Sequence, residues 1–163
     1  MNKKRDSVLG RVFYFSDMKK TIDLQFTVAE KKLLKAKGVT LKSVATYAID
    51  EIAAMINADS KRTKTLQALY EFQSIPSVGP RFAEDLMLLG YYNLESLKNK
   101  HGHELLNDYE QKIGMRVDPC VEDQFRLVVH YANHPESKKQ WWDFTGERKE
   151  FRGKFGYPVD RPK

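Results

Sequence analysis

The sequence predicts an all-α protein. Between residues 27 and 135, apolar residues recur mostly at intervals of three and four, which is the spacing of a helix with one buried face. Helix start signals precede two of these stretches, because Thr27 and Glu30 have capping-box spacing and Asp118 stands before Pro119. Glycine, the residue at which helices commonly end, follows three of them: Gly38, Gly90 and Gly114.

Charge and composition divide the chain into four segments. Residues 1–26 form a basic and aromatic arm, residues 27–71 and 72–135 form two helical units, and residues 136–163 form a tail. Residues 72–135 carry a net charge of −3 and each other segment carries +3, within a total of +6. The arm is interpreted either as a partly ordered end or as an arm that binds nucleic acid or a partner.

The tail is expected to be irregular. It alternates aromatic and basic residues around Trp141 and Trp142, and it contains few aliphatic residues. Two interpretations of the rings remain open. They either pack onto the helical core or stack on nucleic-acid bases beside the arginines.

The predicted helices follow one another with short breaks. In the first unit they run from Thr27 to about Lys37, from near Thr40 to Ile56 and from near Lys61 to Tyr70. In the second unit they run from Arg81 to Leu89, through a short connection at 93–97, from about Leu105 to Ile113, and from Pro119 to just before Pro135. The two units also show a weak internal repeat of about fifty residues.

The turn from Pro76 to Pro80 is the centre of the functional hypothesis. Pro76 ends the preceding helix, and Pro80 occupies the first position of the next one, where its missing N–H does no harm. Val78 is expected to anchor the turn in the core, and Gly79 to adopt a positive φ. The free amides of the following helix would then face outward and bind a phosphate.

This stretch resembles a helix-hairpin-helix motif, in which Gly79 is the second glycine and Ser77 replaces the first. The fold expected from it is a tandem of paired helix-hairpin-helix units. We predict that the hairpin residues Ser77, Val78, Gly79 and Arg81 contact the DNA backbone. A second contact is predicted at Lys61, Arg62 and Lys64, where a solvated helix cap is the equal alternative.

Residues from about 72 to 148 resemble the pathogenicity-locus, or mitomycin-resistance-type, family. The resemblance is carried by 75–80, by Asp118-Pro119-Cys120-Val121 with Asp123 and Phe125-Arg126, and by Trp141-Trp142 with Phe144 and Arg148. It implies an all-α fold and a role in DNA binding or protection, with no assigned reaction. By this resemblance alone, hairpin carbonyls near Ser77 and Gly79 would hold a monovalent cation.

Few side chains point to other chemistry. Cys120 stands in the first turn of a helix, and it is interpreted either as a buried structural residue or as a reactive thiol with a lowered pKa. His130 and His134 are one helical turn apart, and His101 and His103 form a second pair; both pairs are expected to be solvated. No metal and no cofactor are therefore predicted.

The remaining observations favour a binding protein over an enzyme. The sequence contains no phosphate-binding P-loop, no Rossmann glycine pattern and no nucleophile elbow. No apolar run approaches the roughly 18 residues of a membrane span, and a single cysteine is typical of the cytoplasm. We therefore predict a cytoplasmic, sequence-nonspecific DNA-binding protein with no membrane partner. The alternative is a protein-interaction scaffold whose acidic unit at 72–135 meets a basic partner.

Overall fold

The computed structural model describes residues 21–163, and this part of the chain is built from helices and contains no strand. Its α-helices are α1 (Val28–Ala36), α2 (Ile49–Met55), α3 (Ser60–Gln73), α4 (Pro80–Leu88), α5 (Gly102–Ile113), α6 (Cys120–Asn133) and α7 (Thr145–Phe155). Short 3₁₀ helices lie at Ser43–Thr46, Glu95–Leu97 and Trp141–Phe144. The all-α prediction is confirmed, and the tandem pairing of helix-hairpin-helix units stays a prediction.

Several helix ends lie where the sequence places them. Thr27 and Glu30 form the predicted capping box, with each side chain accepting a hydrogen bond from the other residue's amide. At the start of α6, the Asp118 carboxylate accepts a hydrogen bond of 2.7 Å from the Cys120 amide. Gly114 ends α5 with a φ of +71°, a conformation that glycine adopts without steric cost.

The described helices share one apolar core. α3 packs against both α2 and α4, and α5 packs against α6. The ring centroids of Phe82 in α4 and Phe125 in α6 lie 4.9 Å apart, and this contact connects the group α2–α3–α4 to the pair α5–α6. The predicted boundary between residues 71 and 72 falls in the last turn of α3, the helix that contacts both neighbours.

The end of the predicted arm packs along α3, and residues 1–20 lie outside the described residues. Leu24 is buried in the core. The Gln73 side chain accepts a hydrogen bond from the Asp23 amide and donates one to the Asp23 carbonyl, at 3.0 and 2.8 Å. A buried glutamine thus holds the backbone of this segment against α3.

The single helix predicted from Thr40 to Ile56 is wrong. The chain instead forms a 3₁₀ turn at Ser43–Thr46, passes through an extended Tyr47 and begins α2 at Ile49. Capping hydrogen bonds mark two separate helix starts. The Thr40 and Ser43 hydroxyls accept from each other's amides before the 3₁₀ turn, and the Glu51 carboxylate accepts from the Ala48 amide before α2. Because an N-cap residue has an extended backbone, the cap at Ala48 separates the two.

The irregular tail is also a wrong prediction, because residues Thr145–Phe155 form α7. Charge pairs rather than an apolar stripe fix this helix. Asp123 and Glu122 of α6 are fully buried, and they pair with Arg148 and Arg152 of α7, at 2.8 and 2.7 Å. Further along, Arg161 pairs with Glu110 of α5.

Within residues 21–163, none of the helices has both the length and the apolar character needed to cross a bilayer.

Candidate nucleic-acid interface

The turn between α3 and α4 is anchored by two buried apolar side chains. Ile75 and Val78 are both buried, and the Val78 amide donates a hydrogen bond of 3.2 Å to the Ile75 carbonyl. The prediction that Val78 anchors the turn in the core is confirmed. Val78 therefore positions the turn and presents no side chain to a ligand.

The backbone of the turn differs from the prediction at Gly79. Gly79 has φ −94° and ψ 176°, an extended conformation that any residue adopts, and it forms the N-cap of α4. Ser77 has the positive φ instead, +64°. The left-handed residue therefore comes directly after Pro76, which costs a serine on the order of 1 kcal/mol relative to glycine.

The Ser77 side chain is engaged by the segment that precedes α7. Its hydroxyl donates a hydrogen bond to Oε1 of Gln140. Gln140 is itself held in place, because its backbone amide donates a hydrogen bond of 2.8 Å to the Asp143 carboxylate. The hydroxyl of Ser77 is thus part of an internal contact. The backbone amides of the turn remain as the groups that could contact a bound phosphate.

Gly79 and Arg81 form the open part of the turn. A Cβ added at Gly79 would meet no atom within 4 Å, so the space beside it is empty. Arg81 is exposed, and its guanidinium makes no hydrogen bond and no ion pair within residues 21–163. Its charge acts on Asp85, where it opposes the rise in pKa that burial causes.

This freedom sets Arg81 apart from the other described arginines. Five of them form ion pairs with carboxylates: Arg62, Arg126, Arg148, Arg152 and Arg161. Arg116 donates to the Pro162 carbonyl. Arg81 is therefore the one guanidinium in the described part of the chain that faces solvent without a partner.

The second predicted contact does not hold together as a cluster. Arg62 is used structurally, because its Nε lies 2.7 Å from Glu30 Oε1 and its Nη2 donates to two carbonyls of the 21–26 segment. Lys64 Nζ lies 4.2 Å above the ring of Tyr92. Lys61 is exposed. It lies at the opposite end of α3 from the turn, about 20 Å away by helical rise.

Cys120 fits neither of its two sequence interpretations. It is exposed, so the prediction of a buried structural cysteine is wrong. Its thiol pKa is raised, first by a hydrogen bond with Asp118 and then by burial, so the expected lowering by the helix dipole does not prevail. Asp118 therefore works against a thiolate at this position.

The two tryptophans take different environments. Trp141 is half-buried and packs against the core, while Trp142 is 55% exposed. Their rings meet edge to face, with centroids 5.5 Å apart. Trp141 thus follows the packing interpretation. The Trp142 ring is exposed to solvent, two residues from Gln140.

The sequence predicts no structural role for Gln140 or for the three buried carboxylates Glu110, Glu122 and Asp123, although Asp123 is among the residues that carry the family resemblance. A signal for the carboxylates existed, since the net charge of −3 in residues 72–135 is followed by a tail with a net charge of +3. No signal in the local sequence marks Gln140, because its partner is 63 residues away. Within residues 21–163, no three His, Cys, Asp or Glu side chains form a group that could hold a metal ion.

Comparison with known protein families matches more than half of the chain to one family model. The family model Cdd1, described as "Pathogenicity locus", matches residues 65–150, from the middle of α3 to the middle of α7. No curated protein and no solved structure matches. The matched region includes the Ser77–Gly79 turn and the buried Asp123–Arg148 pair. Because it covers 86 of the 163 residues, more than half, the chain belongs to the Cdd1 (pathogenicity locus) family.

Proposed function

We propose that this protein binds DNA without sequence preference, through the backbone amides and the arginine at the start of α4. The observation that carries the proposal is the unengaged Arg81 beside the open space at Gly79. Guanidinium groups and helix N-termini are the donors with which proteins hold phosphates. Contacts of this kind position a duplex and supply affinity without reading its bases.

The glycine at position 79 supports an external ligand. Its φ does not require glycine, and the described chain leaves room for a side chain there. The missing Cβ is therefore of no use to internal packing. It is of use to a ligand that must approach the backbone closely, as a phosphate does at a helix N-terminus.

The distribution of cations also supports a diffuse electrostatic attraction. The arginines are mostly paired inside the fold, whereas Lys98 is the only lysine from residue 21 onward that forms an ion pair. The other lysines of this region leave their charge to solvent, in a chain whose net charge is +6. Such a field accelerates encounters with polyanions and weakens with salt.

The proposal is for binding and not for catalysis. The raised thiol pKa of Cys120, caused first by its hydrogen bond with Asp118, supports this choice, because a thiol nucleophile reacts as the thiolate.

The test measures the affinity for a short duplex by fluorescence anisotropy at several salt concentrations. For the unaltered protein we expect a plot of log Kd against log salt concentration to have a slope of several units, with each phosphate contact contributing about 0.9. Arg81→Ala should weaken binding and lower this slope by about 0.9, the contribution of one phosphate contact. Gly79→Ala should weaken binding, while the free energy of unfolding should fall by no more than about 1 kcal/mol, the cost of alanine at a helix N-cap.

Lys112→Ala is the matched control, because it removes one exposed cation from the far end of α5. It should change affinity much less than Arg81→Ala at the same salt concentration. An affinity that does not depend on salt, or equal effects of the two variants, would rule out the backbone contact at the turn.

A protein-interaction scaffold is the second candidate, favoured by one specific observation. Trp142 and Phe155 are 55% and 64% exposed on the C-terminal segment, and exposed aromatic rings are enriched where proteins meet. The acidity of residues 72–135 supports this candidate less than the sequence predicts, since Glu110, Glu122 and Asp123 form ion pairs with arginines inside the fold. A stoichiometric protein complex that Trp142→Ala abolishes and nuclease treatment leaves intact would favour it over DNA binding.

A further inference from the structure

All four histidines of the chain line one cleft. The cleft lies between the start of α5, which brings His101 and His103, and the end of α6, which brings His130 and His134. Its volume is about 250 Å³. The two helices approach closely at this point, because a Cβ on Gly102 would lie within 2.8 Å of the Arg126 backbone.

Only part of this histidine set has a structural use. His130 Nε2 lies 2.9 Å from the Ser137 hydroxyl, and its ring packs against Phe144. The His103 ring packs 4.1 Å from Phe151, measured between centroids. His101 and His134 are exposed, and none of the ring nitrogens of His101, His103 and His134 forms a hydrogen bond within residues 21–163.

Among the other polar side chains of the cleft, that of Lys100 forms no hydrogen bond and no ion pair within residues 21–163. Asn133 and Arg126 line the α6 side, but the Asn133 side chain donates to the carbonyls of Lys98 and Val129, and the Arg126 guanidinium donates to Glu122 and Glu147. The only carboxylate in the lining is Glu147, which already pairs with Arg126. The first amides of α5 add the positive end of a helix dipole.

We propose that this cleft binds a tetrahedral phosphate dianion, either as inorganic phosphate or as the terminal phosphate of a monoester. Lys100 supplies a positive charge, and the free imidazole nitrogens of His101 and His134 supply hydrogen-bond donors at the rim. The volume suits a small anion, being below the roughly 300–1,000 Å³ of pockets for larger organic ligands. This site is independent of the α4 turn, so the failure of one proposal leaves the other intact.

A transition metal is the obvious alternative for a histidine cleft, and the geometry disfavours it. Each close pair supplies two ligands at most, with ring centroids 5.5 Å apart for His101 and His103 and 4.7 Å apart for His130 and His134. No three ligating side chains within the described residues converge as a metal site requires.

Protonation of the imidazoles would strengthen the anion site. Burial lowers the pKa of both His103 and His130, so both are neutral at pH 7 and gain charge only as the pH falls. The charged groups that face them come from every neighbouring element: Lys100 and Glu104 at the start of α5, Arg126 and Glu122 of α6, Lys139 of the following segment, and Glu147 and Arg152 of α7. With neutral histidines, four cations thus oppose three carboxylates, and each protonation adds to the surplus. Anion affinity should therefore rise as the pH falls through the titration of the histidines.

The test follows the ring resonances of the four histidines by ¹H–¹³C NMR in the full-length protein. Sulfate is the first probe, because its charge does not change between pH 5 and 8, and inorganic phosphate is the second. We expect both anions to shift the resonances of His101 and His134 along a common binding curve. Sulfate affinity should increase about tenfold from pH 7.5 to 5.5, because His103 and His130, whose pKa values burial lowers, gain charge towards the acid end of this range.

Lys100→Ala should weaken both anions about fivefold, whereas Lys112→Ala, at the other end of α5, should leave them unchanged. A 5′-phosphorylated oligonucleotide that competes for the site, while the 5′-hydroxyl strand does not, would identify a strand end as the source of the phosphate. A response to inorganic phosphate alone would identify the free anion. Equal shifts with chloride at the same ionic strength, or stoichiometric Zn²⁺ binding without any anion response, would overturn the proposal.

Discussion

Gly102 sets how closely α5 and α6 cross, and its lack of a side chain is a packing requirement. A Cβ at this position would lie 2.4 Å from Cγ of Arg126 and 2.7 Å from its amide nitrogen. The backbone cannot give way cheaply, because Arg126 is buried and bonded to Glu122. The same crossing brings the four histidines together in their cleft.

We therefore expect Gly102→Ala to lower the free energy of unfolding by about 2–3 kcal/mol, the cost of overpacking a tight interior. Urea unfolding followed by circular dichroism measures it. Gly153→Ala is the matched control within α7, where a Cβ meets no atom within 4 Å. It should stabilise the protein by up to about 1 kcal/mol through helix propensity. Equal effects of the two variants would show that the crossing tolerates a side chain.

Ser77 shows the opposite relation between a residue and its conformation. It holds a φ of +64°, which a glycine would adopt at no cost, and its hydroxyl is bonded to Gln140. The serine thus combines a strained backbone with a contact to a distant segment. Gly79, two residues later, has an unstrained φ and open space. The two positions of the turn therefore have different tasks, one internal and one facing outward.

At the scale of elements, α7 is held to α6 by charge more than by apolar contact. Asp123 accepts from Nε and Nη2 of Arg148, at 2.8 and 3.2 Å, and from the hydroxyl of Thr145 at 2.8 Å. Asp123 is fully buried and Arg148 nearly so. The hydrogen bond with Asp123 is the first cause of a raised pKa of Arg148.

Arg148→Ala should therefore destabilise the protein by about 3–5 kcal/mol, because it leaves a buried carboxylate without its counter-charge. The double variant Asp123→Asn with Arg148→Met should lose less than Arg148→Ala alone, since no uncompensated charge remains. Lys149→Ala, at the exposed neighbouring position, serves as the control and should change stability by less than about 0.5 kcal/mol. All four proteins are compared by chemical unfolding at pH 7. A double variant less stable than the single one would contradict this account of the pair.

Glu110 connects the last residues to α5 and makes stability depend on pH. Burial would raise its pKa, but hydrogen bonds from Arg161 and from the Val117 amide, with the nearby charges of Arg161 and Arg116, outweigh burial and lower it. A carboxyl whose pKa is lower in the folded state stabilises the fold above its unfolded pKa, near 4.3. This contribution is lost as the pH falls through the folded pKa.

Unfolding free energies measured between pH 7 and pH 3 should thus decline most steeply below about pH 4.5. Glu110→Gln should be less stable than the unaltered protein at pH 7, and the difference should shrink towards pH 3. Glu104→Gln, an exposed substitution on the same helix, is the control. A difference that stays constant over this range would exclude Glu110 as a source of the pH dependence.

How far the sequence predicts these elements depends on what stabilises each one. α1, α3, α5 and α6 were predictable, because each has an apolar stripe together with a cap or a terminating glycine. α7 was not, because its partners are carboxylates buried on another helix, 25 to 30 residues earlier. The break before α2 lies at Ala48, whose amide is capped by the Glu51 carboxylate, and apolar periodicity does not register this cap.

The candidate site shows the same division. The buried Val78 and the exposed Arg81 follow from the local pattern of the turn. The occupied Arg62 does not, because its partners are Glu30, 32 residues earlier, and carbonyls of the 21–26 segment. Long-range hydrogen bonds therefore decide which cations remain available to a ligand, and the sequence alone does not reveal them.

At the scale of the whole molecule, the two cationic residue types have separate tasks. Arginines supply the internal pairs that hold the fold, and lysines supply most of the charge that faces solvent. Lys31, Lys32 and Lys35 of α1 are exposed and form no ion pair. If the protein binds DNA as proposed, such lysines attract the duplex from a distance without a fixed contact, whereas Arg81 acts in the complex.

Replacing these three lysines by glutamine should therefore lower the association rate at low salt and leave the dissociation rate nearly unchanged, because long-range charges steer encounters. Arg81→Ala should mainly raise the dissociation rate. Stopped-flow measurements with a labelled duplex, made at 50 and 500 mM salt, separate the two effects. The difference made by the lysines should vanish at the higher concentration, where the screening length falls to roughly 4 Å. An effect of the lysine variant that persists at high salt would place those lysines in direct contact with the duplex, and the proposed division between steering and contact would then be wrong.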